Sequence, residues 1–143
     1  MTLHTPYSIR YTLEMKYLGI DYGAKRVGTS VSNAEGTIAF PRETIENNAR
    51  LFESLNRIIA AEKIESIVVG DTRSFSNLEN PVTKDAENVI ARLKKETSLP
   101  VLSAWEAGSS IEASRYTPHS ESHSDEAAAA IILQRYIDMK SRK

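Results

Sequence analysis

The stretch LGIDYGAKRVGTSVSN, Leu18 to Asn33, constrains this chain more than any other. Side chains alternate faces along a strand. Over residues 16–22, Leu18, Ile20 and Tyr22 fall on one face, and Gly19, Asp21 and Gly23 on the other. Over residues 26–33, Val27, Thr29 and Val31 share a face opposite Gly28, Ser30 and Ser32. The short Gly-Ala-Lys turn between the runs makes them an antiparallel pair. Each strand thus has one branched apolar face and one face of small residues, with a single carboxylate, Asp21, on the latter. Aspartate is poor strand material. Glycine within a strand marks a place where a ligand or another backbone comes close.

The turn Glu35-Gly36 leads into a third strand, Thr37–Phe40, which Pro41 is expected to end. Leu51, Leu55, Ile58 and Ile59 recur at helical spacing, predicting a helix from Glu46 to Lys63. Glu65–Gly70 (ESIVVG) is the continuous apolar run of a buried parallel strand. A polar loop, 71–80, precedes a helix opened by Pro81 and ending near Thr97. Leu99–Ala104 is another short strand, followed by a short helix around Ser109–Arg115 and the polar run YTPHSESHS. Ser124 caps a last helix reaching about Lys140. Tight turns make the first three strands an antiparallel meander, and helical crossovers make the later ones parallel. The expected fold is α/β, a mixed five-stranded sheet flanked by helices. It forms a single domain over 15–143, with residues 1–14 a loose N-terminal extension ahead of Met15.

A length of 143 residues suits one domain with a real core. Eighteen basic and 19 acidic residues leave a net charge of −1, so a nucleic-acid surface on this chain must be a local patch. The absence of cysteine excludes disulfides, thiolate zinc sites and thiol nucleophiles. It is compatible with the cytoplasm and with other compartments. No apolar run has the length of a membrane span.

Among the carboxylates, Asp21 has two readings: a structural acid bonded to turn amides, or a ligand at a site. Asp125 opens the last helix, where the helix dipole favours an acid. A helical wheel also puts Ile132, Tyr136 and Met139 within about 40° of it, so Asp125 heads the expected buried face. Glu106 and Asp71 follow strands at the sheet edge where open α/β folds bind ligands. Each alone reads as a solvated loop acid. Together Asp21, Glu106 and Asp125 would repel one another without cations. Two Mg²⁺ or Mn²⁺ ions roughly 4 Å apart would resolve that and drive phosphodiester hydrolysis. Lys25 and Arg26, in the turn beside Asp21, suit a phosphate backbone or a solvated turn equally. His119 and His123 flank Glu121 in HSESH, a metal-like cluster without a scaffold, best read as loop. Trp105 either stacks a base or packs at a strand end. Arg73, Lys140, Arg142 and Lys143 read as solvated cations.

LGIDYGAKRVGTSVSN, IVVG and HSDEAAAAIILQRYI, taken together, resemble the YqgF/RuvX family, described both as Holliday-junction resolvases and as pre-16S rRNA nucleases. The resemblance spans about residues 16 to 140. It implies an RNase H-like fold and a divalent-metal nuclease with acids on the first strand, after the fifth and on the last helix. By motif match these are Asp21, Glu106 and Asp125, with Ser109 and Ser110 in hydroxyl positions near substrate. Two departures stand out. Trp105-Glu106-Ala107 replaces the family's Asp-Glu-Arg, and Gly70-Asp71-Thr72 replaces Gly-x-Pro. The resemblance implies cleavage of structured RNA, the 5′ end of precursor 16S rRNA in ribosomal precursor particles, or of branched DNA, by a monomer or weak homodimer. The alternative is a module of the same fold that binds nucleic acid or a ribosomal partner without cutting. An actin-like ATPase, suggested by GIDYG, needs two such domains around its nucleotide.

Overall fold

The structure, a computed structural model, describes residues 15–70, 81–103 and 124–141. In chain order the elements are β1 (Tyr17–Tyr22), β2 (Arg26–Ser32), β3 (Ala39–Glu46), α1 (Leu51–Glu62), β4 (Ser66–Val69), α2 (Pro81–Thr97), β5 (Val101–Ser103) and α3 (Asp125–Ser141). They form one five-stranded sheet in the order β3-β2-β1-β4-β5. β1 and β3 both run antiparallel to β2. β4 lies parallel to β1, and β5 parallel to β4. This is the mixed sheet expected from the sequence. Among the described residues no helix is long and apolar enough to cross a membrane. The extension 1–14, the loop 71–80 and the helix expected near 109–115 lie outside the described residues.

β3 begins at Ala39 rather than Thr37 and β5 at Val101 rather than Leu99, and the boundary between β3 and α1 differs most from expectation. β3 does not stop at Pro41 but runs on to Glu46, and α1 begins only at Leu51. β3 is the sheet edge, so a proline there need not break a ladder on both sides. The register also shifts: Thr29 faces Glu43 whereas Ser30 faces Pro41, leaving Arg42 as an extra residue. A bulge absorbs that residue and twists the edge. The Thr29 hydroxyl fills the gap, donating to the Glu43 carbonyl at 2.6 Å and accepting from the Glu43 N–H at 3.1 Å.

The two sheet faces are packed differently. Leu18, Ile20, Val27, Val31, Ile67 and Val69 pack with Leu55 and Ile58 of α1 and Leu93 of α2. Full burial of such a side chain contributes about 1.5–3 kcal/mol. On the opposite face Tyr17 and Val68 meet Leu133 and Ile137 of α3. The helical wheel had centred the buried face of α3 on Asp125, Ile132, Tyr136 and Met139. The structure instead buries Ala128, Ala129, Leu133 and Ile137, with Ile132 and Tyr136 half-buried on the flank. The surface beneath the helix explains the rotation. Gly19, Gly28 and Ser30 leave a shallow floor on which alanines and Leu133 sit closest, and Tyr136 turns aside to meet Tyr17 edge-on at 5.7 Å. Gln134 then joins the helix to the sheet edge, accepting from the Ala39 N–H at 2.9 Å and donating to the Thr37 carbonyl at 3.1 Å.

Candidate active site

Asp21, Gly28 and Thr44 form one row across β1, β2 and β3. Gly28 is the notch in that row. A Cβ there would lie 2.0 Å from the Asp125 carbonyl oxygen and 3.0 Å from the Glu126 nitrogen. Glycine thus lets the first residues of α3 seat on the strand backbone. Gly19 plays the same part further down, where a Cβ would sit 2.4 Å from Ser30 Oγ and 2.8 Å from Leu133 Cβ. Ser30 Oγ donates to the Ala129 carbonyl at 2.9 Å, a buried bond tying helix to floor. The close approach that these glycines signal is that of another backbone.

Seating α3 in this notch sets its first two acids. Ser124 caps the helix as expected, its Oγ accepting from the Ala127 N–H at 3.3 Å. Glu126 goes toward β3, where its carboxylate accepts a bond from the Thr44 hydroxyl. That bond is the first cause holding the Glu126 carboxyl below its usual range. Asp125 goes the other way, to the Asp21 side. Burial pushes the Asp21 carboxyl up to about 6, and the Asp125 charge adds to the shift. Arg26, one strand repeat from Gly28 on the same face, donates from Nε to Asp125 Oδ2 at 2.7 Å.

The β1–β2 turn is held by the residue that follows β3. Asn47 Nδ2 donates to the Gly23 carbonyl at 2.8 Å, and its N–H donates to the Lys25 carbonyl at 2.9 Å. Lys25 and Arg26 are exposed at this turn. Sequence reasoning missed Thr44 and Asn47, because Pro41 was expected to end the strand that carries Thr44 and leads into Asn47. Simple alternation continued past Pro41 would have put Glu43 on the floor; the bulge at Arg42 shifts the register and turns Thr44 there instead, level with Gly28.

A half-buried carboxylate raised by burial and by a neighbouring acid suits a hard divalent cation, which oxygen donors bind and whose charge relieves the repulsion. The described residues supply two such donors. Among them no group of three or more acids, histidines or cysteines gathers for a metal. Glu106 lies outside the described residues, as do Asp71, Trp105, Ser109, Ser110, His119, Glu121 and His123.

The family model for RuvX, Holliday junction resolvase, matches residues 15–139. The chain belongs to this family. RuvX-family relatives include a protein of Oleidesulfovibrio alaskensis named "Putative pre-16S rRNA nuclease", 37% identical over 134 residues, covering 87% of this chain and 93% of that one. A protein of the same name from Geobacillus thermodenitrificans is 34% identical, with 88% and 99% covered. Among solved structures, Thermus thermophilus RuvC in complex with a Holliday junction substrate superposes with a TM-score of 0.60 at 16% identity, covering 90% of this chain and 96% of that one. That likeness establishes the RNase H-like fold, and membership of the RuvX family makes the chain a nuclease.

Proposed function

We propose that this RuvX-family chain is a divalent-metal-dependent nuclease that hydrolyses phosphodiesters at the 5′ end of precursor 16S rRNA in the cytoplasm. The observation that supports this reading is the seating of Asp125 beside the half-buried Asp21 by the Gly28 notch. Asp21 and Asp125, with Glu106 as third donor, would hold Mg²⁺ or Mn²⁺, as one ion or two. When bound, such ions supply an activated water and charge stabilisation at the leaving oxygen. The chain's own residues do the rest. Asp21 must be ionised to hold a cation; without one, burial and Asp125 raise its pKa to about 6, and a bound cation would favour the ionised form. Lys25 and Arg26 stand where they can neutralise a phosphate, which positions the strand without reading its sequence. Ser109 and Ser110 are proposed as further substrate contacts. The partner is structured RNA, free or in ribosomal precursor particles, bound by a monomer or weak homodimer.

The test is cleavage of a 5′-extended 16S precursor RNA in Mg²⁺, Mn²⁺ or EDTA, with wild type and Asp21→Asn. Wild type is expected to cut only with metal, and the variant to lose at least about a hundredfold, more than a supporting residue costs. Equal cutting by both overturns the site. Cutting of a four-way DNA junction but not of the RNA moves the substrate to DNA. Cutting of neither leaves a nucleic-acid-binding module of the same fold.

A further inference from the structure

We propose that Arg26 is an internal counterion of this site: its guanidinium holds the Asp125 carboxylate when no cation is bound and is displaced from it when one binds. The inference rests on reading Asp21 and Asp125 as metal donors. The contact is one charge-assisted bond, Nε to Oδ2 at 2.7 Å, between side chains 61% and 36% exposed. Arg26 thus neutralises one acid of the pair, and Asp21 has no ion pair among the described residues. The neighbouring cation, Lys25, is exposed and has no ion pair among the described residues either, so the two basic residues of the turn have different roles. Asp125 sits on a helix fixed by the Gly28 notch and the Ser30–Ala129 bond, whereas Arg26 is on a long exposed side chain. When a cation claims Asp125, the arginine is the partner free to move.

Linkage sets the size of the effect. Whatever the Arg26 pair adds to the cation-free protein is subtracted from cation affinity. An exposed pair of this kind is a weak competitor, worth at most about fivefold in an equilibrium. The site therefore does not stand as an uncompensated pair of acids, yet the compensation is easily displaced. The released guanidinium lies beside Lys25 at the mouth of the site, so loading with metal and readiness for a phosphate become one event.

The experiment is Mn²⁺ binding to the whole chain, read by calorimetry and by the loss of the free-ion electron spin resonance signal, without nucleic acid. Arg26→Gln is expected to tighten Mn²⁺ binding about two- to fivefold. Lys25→Gln removes the same charge from the same turn and is expected to change it less than about 1.5-fold. In an Asp125→Asn background, Arg26→Gln is expected to change nothing further, because the contact it removes is already gone. Unchanged or weaker binding in Arg26→Gln overturns the inference, as does equal tightening in Lys25→Gln or in the Asp125→Asn background. If wild type binds Mn²⁺ and Asp21→Asn does not, those results sink the role of Arg26 and leave the metal site standing. If wild type binds no Mn²⁺, the metal site and the role of Arg26 fall together.

Discussion

The two faces of the sheet solve different problems with the same strands. Beneath α1 and α2, β1 and β2 present Leu18, Ile20, Val27 and Val31, and the helices stand off on full-sized side chains. Beneath α3 the same two strands present Gly19, Gly28, Ser30 and Ser32, and the helix comes down onto the backbone. The first arrangement gathers apolar burial, where stability comes from. The second gives up that burial for a short, rigid distance between helix and strand. That distance places Asp125 against Asp21. The carboxylates are thus held by packing that tolerates no added methyl group, while the rest of the core is of the adaptable aliphatic kind.

The contrast can be broken most sharply on the aliphatic side. Leu55→Ala opens a cavity at a fully buried position and is expected to cost about 2–5 kcal/mol in urea unfolding. Nuclease activity per folded molecule should stay within about twofold, since the site lies across the sheet. On the other face, Gly28→Ala is expected to cost about 1–3 kcal/mol as overpacking. Here activity should fall by far more than stability, because the new methyl group pushes on the backbone that carries Asp125. If activity survives in Gly28→Ala, the notch does not place the acid.

Asp21→Asn should have the opposite sign. A carboxyl raised from 3.8 to about 6 is favoured in its neutral form by the folded protein. Its contribution to stability is full below about pH 4 and is lost as pH rises through 6. Without divalent metal the variant should therefore be more stable than wild type at pH 8, by about 1–3 kcal/mol, and equal to it near pH 3.5. Thermal unfolding across that range checks it. Mg²⁺ should stabilise wild type and leave the variant unmoved.

Ser30→Ala removes the buried bond to the Ala129 carbonyl and is expected to cost about 0.5–1.5 kcal/mol. The smallest effect belongs to the surface. Glu62 receives Lys16 Nζ at 3.0 Å and Arg42 Nε at 2.9 Å, and the Lys16 bond is the first cause holding its carboxyl below the usual range. Such a group stabilises at neutral pH and loses its contribution as pH falls through its lowered pKa. With both partners partly solvated, Glu62→Gln should cost less than about 1 kcal/mol near pH 7, and nothing once wild-type Glu62 is protonated.

Much of this was legible in advance. The alternation of β1 and β2, the proline opening α2 and the serine capping α3 are local signals, and each lies where expected. Asp21 and Asp125 were singled out by position and by family motif, and the structure brings them together. The extent of β3 was not legible, because a proline reads as a stop until the strand is known to be an edge with a bulge. The buried face of α3 was misread because a wheel weighs side chains by hydrophobicity and cannot know that the floor is glycine.

What the sequence determined by itself was therefore the set of elements, their parallel or antiparallel sense, and the presence of a small-residue surface with one acid on it. These follow from period, turn length and crossover, which act over a few residues. The tertiary structure decided how α3 sits, which of its two first acids meets Asp21, and that Arg26, 99 residues away in the chain, is bonded to that same acid, Asp125. Those facts depend on how closely two backbones approach, and only the folded chain sets that distance.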